Sequence, residues 1–511
     1  MNSKRKSIRF IIVSVLMVLI PILCTNILPG QVFEKMKDGV KEKTLDNGMK
    51  FIVLERHEAP VVSFHVYADV GSAQESYGIT GISHLLEHMA FKGTKVVGTK
   101  DYEAEAPILD KLDTLYDKIT LESQKIKPDK TLLEKMQKEF EELRQKAKEF
   151  AITNDYLNMM RQEGDSALNA FTSNDATQYV NGLPSNKLEF WMAMTSDRFM
   201  NPVFREFYKE RDVVMEERRL GVETRPIGKL YEDFISTAFK AHPYQHGVIG
   251  PMSDLKRITR KDVKDYFTKY YSPCNLTAAI VGDVKAEEVF KMAELYFGRI
   301  PGGTKPEPLR TVEPEQWGER HVTISAQAQP TLLIGYHRPA CTHEDDTALE
   351  ALANIMGQGR SSRLYELLVK EKRAAISSST FNGYPDDKYP NLIVFYAIPS
   401  KDHTSTECIE LIDTEIEKMK TGLVSHDELT KYKQTAKKHI IDIMESNRRM
   451  AVLLTYYDVV QGDWRLTFDQ LKHIDDLTAE QIKAVACKYL VKSNRTIGEI
   501  IPEKSDEKKE R

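Results

Sequence analysis

Cysteine is scarce in this sequence, with five residues among 511, which excludes a disulfide-rich scaffold. Cys24 lies near the amino terminus. The other four are too widely spaced for a zinc ribbon or a Cys-x-x-Cys motif; they are Cys274, Cys341, Cys408 and Cys487. A basic excess is also lacking, because 72 Lys and Arg residues face 76 Asp and Glu residues. The sequence therefore gives no indication of a nucleic-acid-binding protein.

Long apolar runs are missing beyond the first 33 residues. The single extended uncharged stretch, Phe10–Phe33, follows a basic start from Lys4 to Arg9. This pattern predicts a signal peptide or an uncleaved membrane anchor in residues 1–30. A lipoprotein modified at Cys24 is a third alternative, although such signals usually carry a small residue before the cysteine. The folded part is expected to be periplasmic or secreted, either free or tethered to the membrane through the N-terminus.

An internal repeat organises the rest of the chain. The same residue types recur at a constant offset of 219 residues: Thr259, Tyr270, Asn275 and Thr277 correspond to Thr478, Tyr489, Asn494 and Thr496. Each copy reads as a helix followed by a short strand, and a constant register indicates duplication. We predict an α+β fold with two homologous domains, 41–300 and 319–505, each a mainly antiparallel sheet flanked by helices. The Pro- and Gly-rich residues 301–318 are predicted to link them.

One segment of the first domain has no counterpart in the second. Asp101–Phe150 contains 23 charged residues of 50, with apolar residues at helical spacing and a break at Lys127–Asp129. This predicts a charged helical hairpin, inserted at about 101–160. It is either a solvated structural insertion or an arm that docks a partner. In both cases we expect it to be separable from the functional site.

Three residues at i, i+3 and i+4 of a predicted helix carry the chemistry. His84, Glu87 and His88 share one helix face, and Gly93 is placed to end that helix. Two imidazoles one turn apart can hold a zinc ion, and the carboxylate can take a proton from a water that the metal activates. Two surface histidines on an amphipathic helix are the alternative interpretation.

A third ligand is offered by an acidic segment further along the chain. Glu210 and Glu217 are seven residues apart and lie on one helix face, whereas Glu216 points about 100° away from Glu217. An acidic helix of this kind is also compatible with a solvated surface, and it gains weight only beside the histidine motif.

With these motifs the sequence resembles the inverted-zincin peptidases of the insulinase/pitrilysin family, which includes the mitochondrial processing peptidase. The likeness is greatest to the half-length bacterial members. It covers nearly all of 41–505 and is carried by His84–Thr94, Asn169–Ser173 and Glu210–Glu217. The resemblance implies a zinc-dependent endopeptidase that acts on unfolded peptides. A non-catalytic homologous subunit with an assembly or scaffold role is the alternative, and a membrane-tethered binding module is a third.

The resemblance also implies a role for each site residue. One zinc ion per chain (Zn2+) is expected on His84, His88 and Glu217. Glu87 is the expected general base. Glu210 is expected to support the site without binding the zinc ion itself. Asn169 and Ala170 match the strand edge that holds the substrate backbone.

One departure from the family pattern concerns the second domain. Family members often carry there an Arg, with a Tyr seven residues later, that help to hold the substrate. Our alignment places Val369 and Ile376 at these positions. We therefore expect a heterodimer with a homologous subunit that carries the Arg/Tyr pair, or a homodimer in which other residues replace the pair.

Overall fold

Two antiparallel-dominated sheets form the framework of the molecule. The computed structural model describes residues 29–503. The first sheet contains β1 (Val40–Thr44), β2 (Lys50–Glu55), β3 (Val61–Ala68), β4 (Asn169–Thr172), β5 (Thr177–Pro184) and β6 (Leu276–Gly282). The second contains β7 (Arg320–Ala326), β8 (Thr331–Arg338), β9 (Ala375–Tyr384), β10 (Asn391–Pro399) and β11 (Arg495–Pro502). The predicted α+β class is confirmed.

Helices surround both sheets. In the first half they are α1 (Pro29–Gly39), α2 (Ile82–Met89), α3 (Tyr102–Ser123), α4 (Lys130–Phe150), α5 (Asp155–Gln162), α6 (Leu188–Met200), α7 (Phe207–Arg218), α8 (Pro226–Ala238), α9 (Met252–Leu255), α10 (Arg260–Tyr270) and α11 (Ala286–Tyr296). In the second half they are α12 (Asp346–Gly357), α13 (Ser405–Thr421), α14 (His426–Glu445), α15 (Asn447–Val460), α16 (Leu466–Asp476) and α17 (Ala479–Tyr489).

The leader prediction lies almost entirely outside the described residues. Only its last two residues, which open α1, belong to the part of the chain that the structure covers. Within residues 29–503, no helix combines the length and apolar character needed to cross a membrane.

The two sheets share one topology. The strand order is β1-β2-β6-β3-β5-β4 in the first and β7-β11-β8-β10-β9 in the second. β2 pairs in parallel with β6 as β7 pairs with β11, and the remaining ladders are antiparallel in both. Strand β1 is the extra member of the first sheet. β4 and β9 are therefore equivalent edge strands.

The repeat found in the sequence is visible in local hydrogen bonds. Thr259 caps α10 and Thr478 caps α17, each through a reciprocal capping box. The side-chain amide of Asn275 donates to the carbonyl of Tyr270 at 2.9 Å, and that of Asn494 donates to Tyr489 at 3.1 Å. The same residue types thus fix the same turn between helix and strand in both halves.

In each half, one helix packs against the sheet of the other half. α8 packs on β7 and β11, where Leu230 and Phe234 join the buried cluster of the second sheet. In return, α15 packs on β3 and β6, where Met450 and Leu454 cover the outer face of the first sheet. The starts of these helices, Pro226 and Asn447, are 221 residues apart, close to the repeat offset.

The predicted hairpin is formed by α3 and α4, which pack along each other. Its base belongs to the first core, because Leu109 and Leu112 are 5% and 4% exposed. Buried Glu105 pairs with Arg205 at 3.1 Å, with both side chains at 2% exposure or less. The expected separability is therefore restricted to the distal part of the hairpin, where Ile126 is fully exposed.

Acidic residues meet where the two halves touch. Asp175 of the first half lies close to Asp386 and Asp387 of the second, with ligand oxygens within 4.8 Å of one another. Tyr244 donates its hydroxyl to Asp175 at 2.6 Å, and Tyr456 donates to Asp387 at 2.7 Å. These two hydroxyls provide hydrogen bonds for carboxyl groups that are removed from solvent.

Candidate metal centre

Helix α2 sets the position of the two histidines. Ile82, Leu85, Leu86 and Met89 are buried on its apolar side, and His84, Glu87 and His88 emerge on the other. Gly81 precedes the helix with φ +94°, where a Cβ atom would lie 2.4 Å from the carbonyl oxygen of Ile249. Only glycine fits at this position before the helix.

The two ends of helix α2 show features that the sequence did not predict. The helix ends at Met89 rather than at Gly93. Gly93 instead permits a close approach, because its Cβ would lie 2.2 Å from the carbonyl oxygen of Val97. The start of the helix is held by Glu75, whose carboxylate accepts the backbone N–H groups of Gly81 and Ser83 at 2.7 and 2.8 Å.

Glu217 on α7 lies next to the two histidines and offers a third potential ligand. Its Oε2 lies 3.9 Å from His84 Nε2 and 3.7 Å from His88 Nε2. Potential ligand atoms from the three residues lie within 4.8 Å of one another, so the group could hold a metal ion. Glu216 points elsewhere and pairs with Arg219 on the surface. The structure thus brings together the three residues that the sequence proposed as ligands.

Glu210 lies behind His88 on the side away from Glu217. Its Oε2 is 3.6 Å from His88 Nδ1, and its other oxygen pairs with Lys92. Burial raises the pKa of Glu210, but the contacts with His88 and Lys92 outweigh it and lower the pKa to about 2. A fixed negative charge at Nδ1 orients the ring so that Nε2 faces Glu217.

The two imidazoles have different electrostatic surroundings. Burial, with a smaller contribution from the neighbouring ring, lowers the pKa of His84 to about 4. For His88, burial lowers the pKa, but contact with Glu210 and the charges of Glu87 and Glu217 outweigh it and raise the pKa. A neutral imidazole such as His84 is the form that binds a metal.

Glu87 is tied to the edge strand β4. Thr172 Oγ1 donates a hydrogen bond to Glu87 Oε2 at 2.8 Å. Burial raises the pKa of Glu87, although the Thr172 hydrogen bond works in the opposite direction. On the same strand, Asn169 and Ala170 pair with Val180 and Tyr179 of β5, and no other strand of the described part of the chain pairs with the outer edge of β4.

A cleft of about 540 Å³ opens beside these residues. One wall carries His84, Glu87 and Glu217, and the strand residues Ala170–Thr172 form an adjoining side. The opposite wall is one face of α8 together with Tyr384 from β9; the α8 residues are Gly228, Tyr231, Glu232 and Ile235. The cleft is therefore built by both halves of the chain.

Comparison with known proteins identifies the fold. The model of the family described as Insulinase (Peptidase family M16) matches residues 50–109 and 140–252. A second model, described as Peptidase M16 inactive domain, matches residues 257–436. The chain belongs to the insulinase family, peptidase family M16. Residues 110–139 of the hairpin fall between the matched segments, so the M16 model has no counterpart for them.

Individual M16 proteins resemble the chain over most of its length. The zinc protease PqqE of Helicobacter pylori is 28% identical over 459 residues, covering 89% of this chain and 90% of that protein. A solved protease from Helicobacter pylori superimposes with a TM-score of 0.76 at 27% identity, over 91% of this chain and 99% of the other. The periplasmic protease PqqL of Escherichia coli superimposes with a TM-score of 0.66 at 16% identity, over 91% of this chain and 48% of PqqL. The chain is thus a half-length M16 member.

The structure locates the two positions at which our alignment found the M16 Arg/Tyr pair missing. Val369 packs partly buried against the core of the second half, and Ile376 is 56% exposed on β9. Arg363, six residues before Val369, forms a salt bridge with Glu428 at 2.7 Å. Neither position therefore presents a polar group to a substrate.

Proposed function

We propose that this M16 chain is a zinc-dependent endopeptidase that hydrolyses unfolded peptides outside the cytoplasm. The observation that carries the proposal is the convergence of His84 Nε2 and His88 Nε2 on one carboxylate oxygen of Glu217. Glu87 lies on the same helix as both histidines. The naming of similar M16 proteins as zinc proteases supports the general reaction class.

The residues present suit zinc in number and type. Two imidazole nitrogens and one carboxylate oxygen are a known set for catalytic zinc, which keeps a fourth position for water. Ligands of a tetrahedral zinc ion lie about 3.4 Å apart, so separations of 3.7 and 3.9 Å need only a small contraction. Zinc held there would polarise the scissile carbonyl and lower the pKa of a water molecule.

Glu87 then serves as the proton carrier of the reaction. Its raised pKa, caused by burial, makes it a better base than a solvated glutamate. It takes a proton from the attacking water and returns it to the leaving amine. Thr172 holds one of its oxygens and so fixes the carboxylate plane relative to β4.

The substrate backbone is proposed to add to β4 as a further strand. Within residues 29–503, β4 pairs with β5 on one side only, so we propose that the backbone groups on its outer edge are available to an extended peptide. Asn169 and Ala170 begin this edge, and Thr172 ends it beside Glu87. Strand addition explains the proposed preference for unfolded chains, since most backbone N–H and C=O groups of a folded substrate are already paired with each other.

A non-catalytic role is the less favoured alternative. The match described as an inactive M16 domain covers residues 257–436, which contain none of the four metal-centre residues. His84, Glu87, His88 and Glu217 are all present in the other half and lie together. An assembly subunit has no need to retain this arrangement.

We also propose a partner and a location. The chain superimposes on only 48% of the longer PqqL chain. A half-length chain is proposed to pair with a homologous subunit carrying the Arg/Tyr pair, or with a second copy of itself. The basic and apolar leader supports a periplasmic or secreted location, with a membrane tether if the leader is retained.

The test is purification of the full chain from membrane and soluble fractions, with zinc content and copurifying chains recorded together. Hydrolysis of an unstructured peptide is then measured with and without a chelator and with and without the homologous subunit. We expect about one zinc per chain and activity that the chelator removes. A preparation that contains no zinc, or that cleaves equally well in chelator, would contradict the proposal.

A further inference from the structure

A second cavity adjoins the metal-centre cleft. It has a volume of about 540 Å³ and is lined by Tyr231, Phe381, Asn382, Gly383, Tyr384 and Val394. Tyr231 and Tyr384 line the metal-centre cleft as well, so the two spaces meet at this aromatic pair. Their ring centroids are 6.0 Å apart.

The cavity exists because α8 covers only part of the second sheet. The helix packs mainly on β7 and β11, and a cavity remains beside it along β9 and β10. Val394 on β10 lies opposite Phe381 on β9, and Phe381 packs edge-on against Tyr396 with centroids 6.2 Å apart. Phe381 is nevertheless 40% exposed. An aromatic floor therefore faces an open space.

The chemistry of the lining restricts what can enter. None of the six lining residues carries a formal charge, and four of them are aromatic or aliphatic. A charged side chain would lose its hydration there without gaining an ion pair, whereas a large apolar side chain would gain contact with aromatic rings. A cavity that continues a proposed peptide cleft is thus suited to one side chain of that peptide.

We propose that the cavity formed by Tyr231, Phe381 and Tyr384 is a specificity subsite that takes an aromatic or large aliphatic side chain of the peptide substrate. The inference rests on the proposed peptidase function and adds a sequence preference to it. The preference comes mainly from the second half of the chain, which supplies Phe381 and Tyr384, although the reacting groups come from the first. Phe381 is the most informative residue, because it lines this cavity and does not line the metal-centre cleft.

The experiment uses the full chain and a set of unstructured peptides in which each position in turn carries Phe, Ala or Asp. We expect one position at which Phe is favoured over Ala by about tenfold in kcat/KM, as for burial of one large apolar side chain. Phe381→Ala should reduce this ratio to about threefold or less, mainly through a lower kcat/KM for the Phe peptide. Tyr384→Ala provides a second variant if Phe381→Ala folds poorly.

The control is Ile126→Ala, which removes another exposed apolar side chain at the tip of the hairpin. It should leave the Phe/Ala ratio unchanged. If the wild-type chain hydrolyses these peptides, the proposal is overturned when it favours Phe at no position, or when neither Phe381→Ala nor Tyr384→Ala changes the ratio.

A binding measurement separates this inference from the proposed reaction. Fluorescence anisotropy of labelled Phe and Ala peptides is recorded on Glu87→Gln and on Glu87→Gln combined with Phe381→Ala. If the wild-type chain hydrolyses nothing but Glu87→Gln favours the Phe peptide and the double variant does not, the subsite is upheld and the peptidase function fails. Equal affinity of Glu87→Gln for both peptides overturns the subsite, whatever the activity.

Discussion

Thr172 Oγ1 donates a 2.8 Å hydrogen bond to Glu87 Oε2, which joins the proposed general base to the strand proposed to hold the substrate. Glu87→Gln should abolish peptide hydrolysis, by about a thousandfold or more, and leave zinc bound, because the base is lost and the ligands remain. Thr172→Val should cost about tenfold, since it frees the carboxylate without removing it. Activity assays and zinc content of the same preparations check both. Near-normal turnover of Glu87→Gln would contradict the mechanism.

The position of Glu217 leads to a paired prediction for metal binding. Glu217→Ala should lose zinc as severely as His88→Ala, because each removes one of the three proposed ligands. Glu216→Ala is the matched control from the next position, where the carboxylate binds Arg219 instead. Metal analysis after dialysis measures the effect. Zinc loss in Glu216→Ala with zinc retained in Glu217→Ala would show that the wrong acid has been assigned.

Glu210 is expected to have a weaker effect than the ligands. Glu210→Ala removes the negative group 3.6 Å from His88 Nδ1 and frees the ring to turn. Partners of ligating histidines typically contribute about 10- to 100-fold to metal affinity, so zinc should bind more weakly without being lost. Competition with a chromogenic chelator measures the affinity. An unchanged affinity would mean that packing alone orients His88.

The hairpin can be divided into a dispensable tip and an essential base. Replacing residues 119–136 by a short Gly-rich turn should preserve zinc binding, since the M16 family model has no counterpart for this region.

Glu105→Ala, at the base of the hairpin, should cost about 3 to 5 kcal/mol of folding free energy, because it leaves the buried charge of Arg205 without its partner. Exposed Glu103→Ala on the same helix is the control. Urea unfolding compares the four proteins.

The acidic contact between the halves predicts a pH dependence. Burial, reinforced by the nearby charge of Asp386, raises the pKa of Asp387 to about 6, against about 3.9 for an unfolded chain. Between these values the folded state binds more protons than the unfolded state, so this residue makes the free energy of unfolding fall as pH rises. The penalty is fully present above about pH 6 and disappears toward pH 4.

Asp387→Asn should therefore raise the free energy of unfolding by about 1 to 2 kcal/mol at pH 7.5 and leave it unchanged near pH 4. The asparagine can still accept the hydrogen bond from Tyr456. Denaturant midpoints are recorded against pH in the presence of a chelator, with exposed Asp117→Asn as the control. A constant difference between variant and wild type at all pH values would refute the assignment.

The sequence predicted those parts of the fold and site that depend on local spacing. His84, Glu87 and His88 lie on one helix face because three- and four-residue intervals repeat the helical turn. The repeat was readable because Thr259 and Thr478 perform the same capping function at the same offset. The hairpin followed from apolar periodicity interrupted by a proline-containing break.

What the sequence did not predict depends on contacts between distant segments. Thr172 and Glu87 are 85 residues apart, and no periodicity connects a strand residue to a helix residue. Tyr384 reaches the cleft only because the second sheet packs beside α8. Arg205 pairs with Glu105 across 100 residues, although a hairpin so rich in charge suggested that its acids would all be solvated.

The exchange of α8 and α15 has a consequence for how the molecule can be divided. A fragment beginning at residue 319 would lack α8 and expose the apolar face formed by Leu333, Leu392 and Val394. A fragment ending at residue 300 would lack α15 and expose Ile52, Leu54 and Val281. Neither piece has a complete core of its own, so cooperative unfolding should involve both halves together. The sheet topology repeats twice along the chain, whereas we expect only one cooperative unfolding unit.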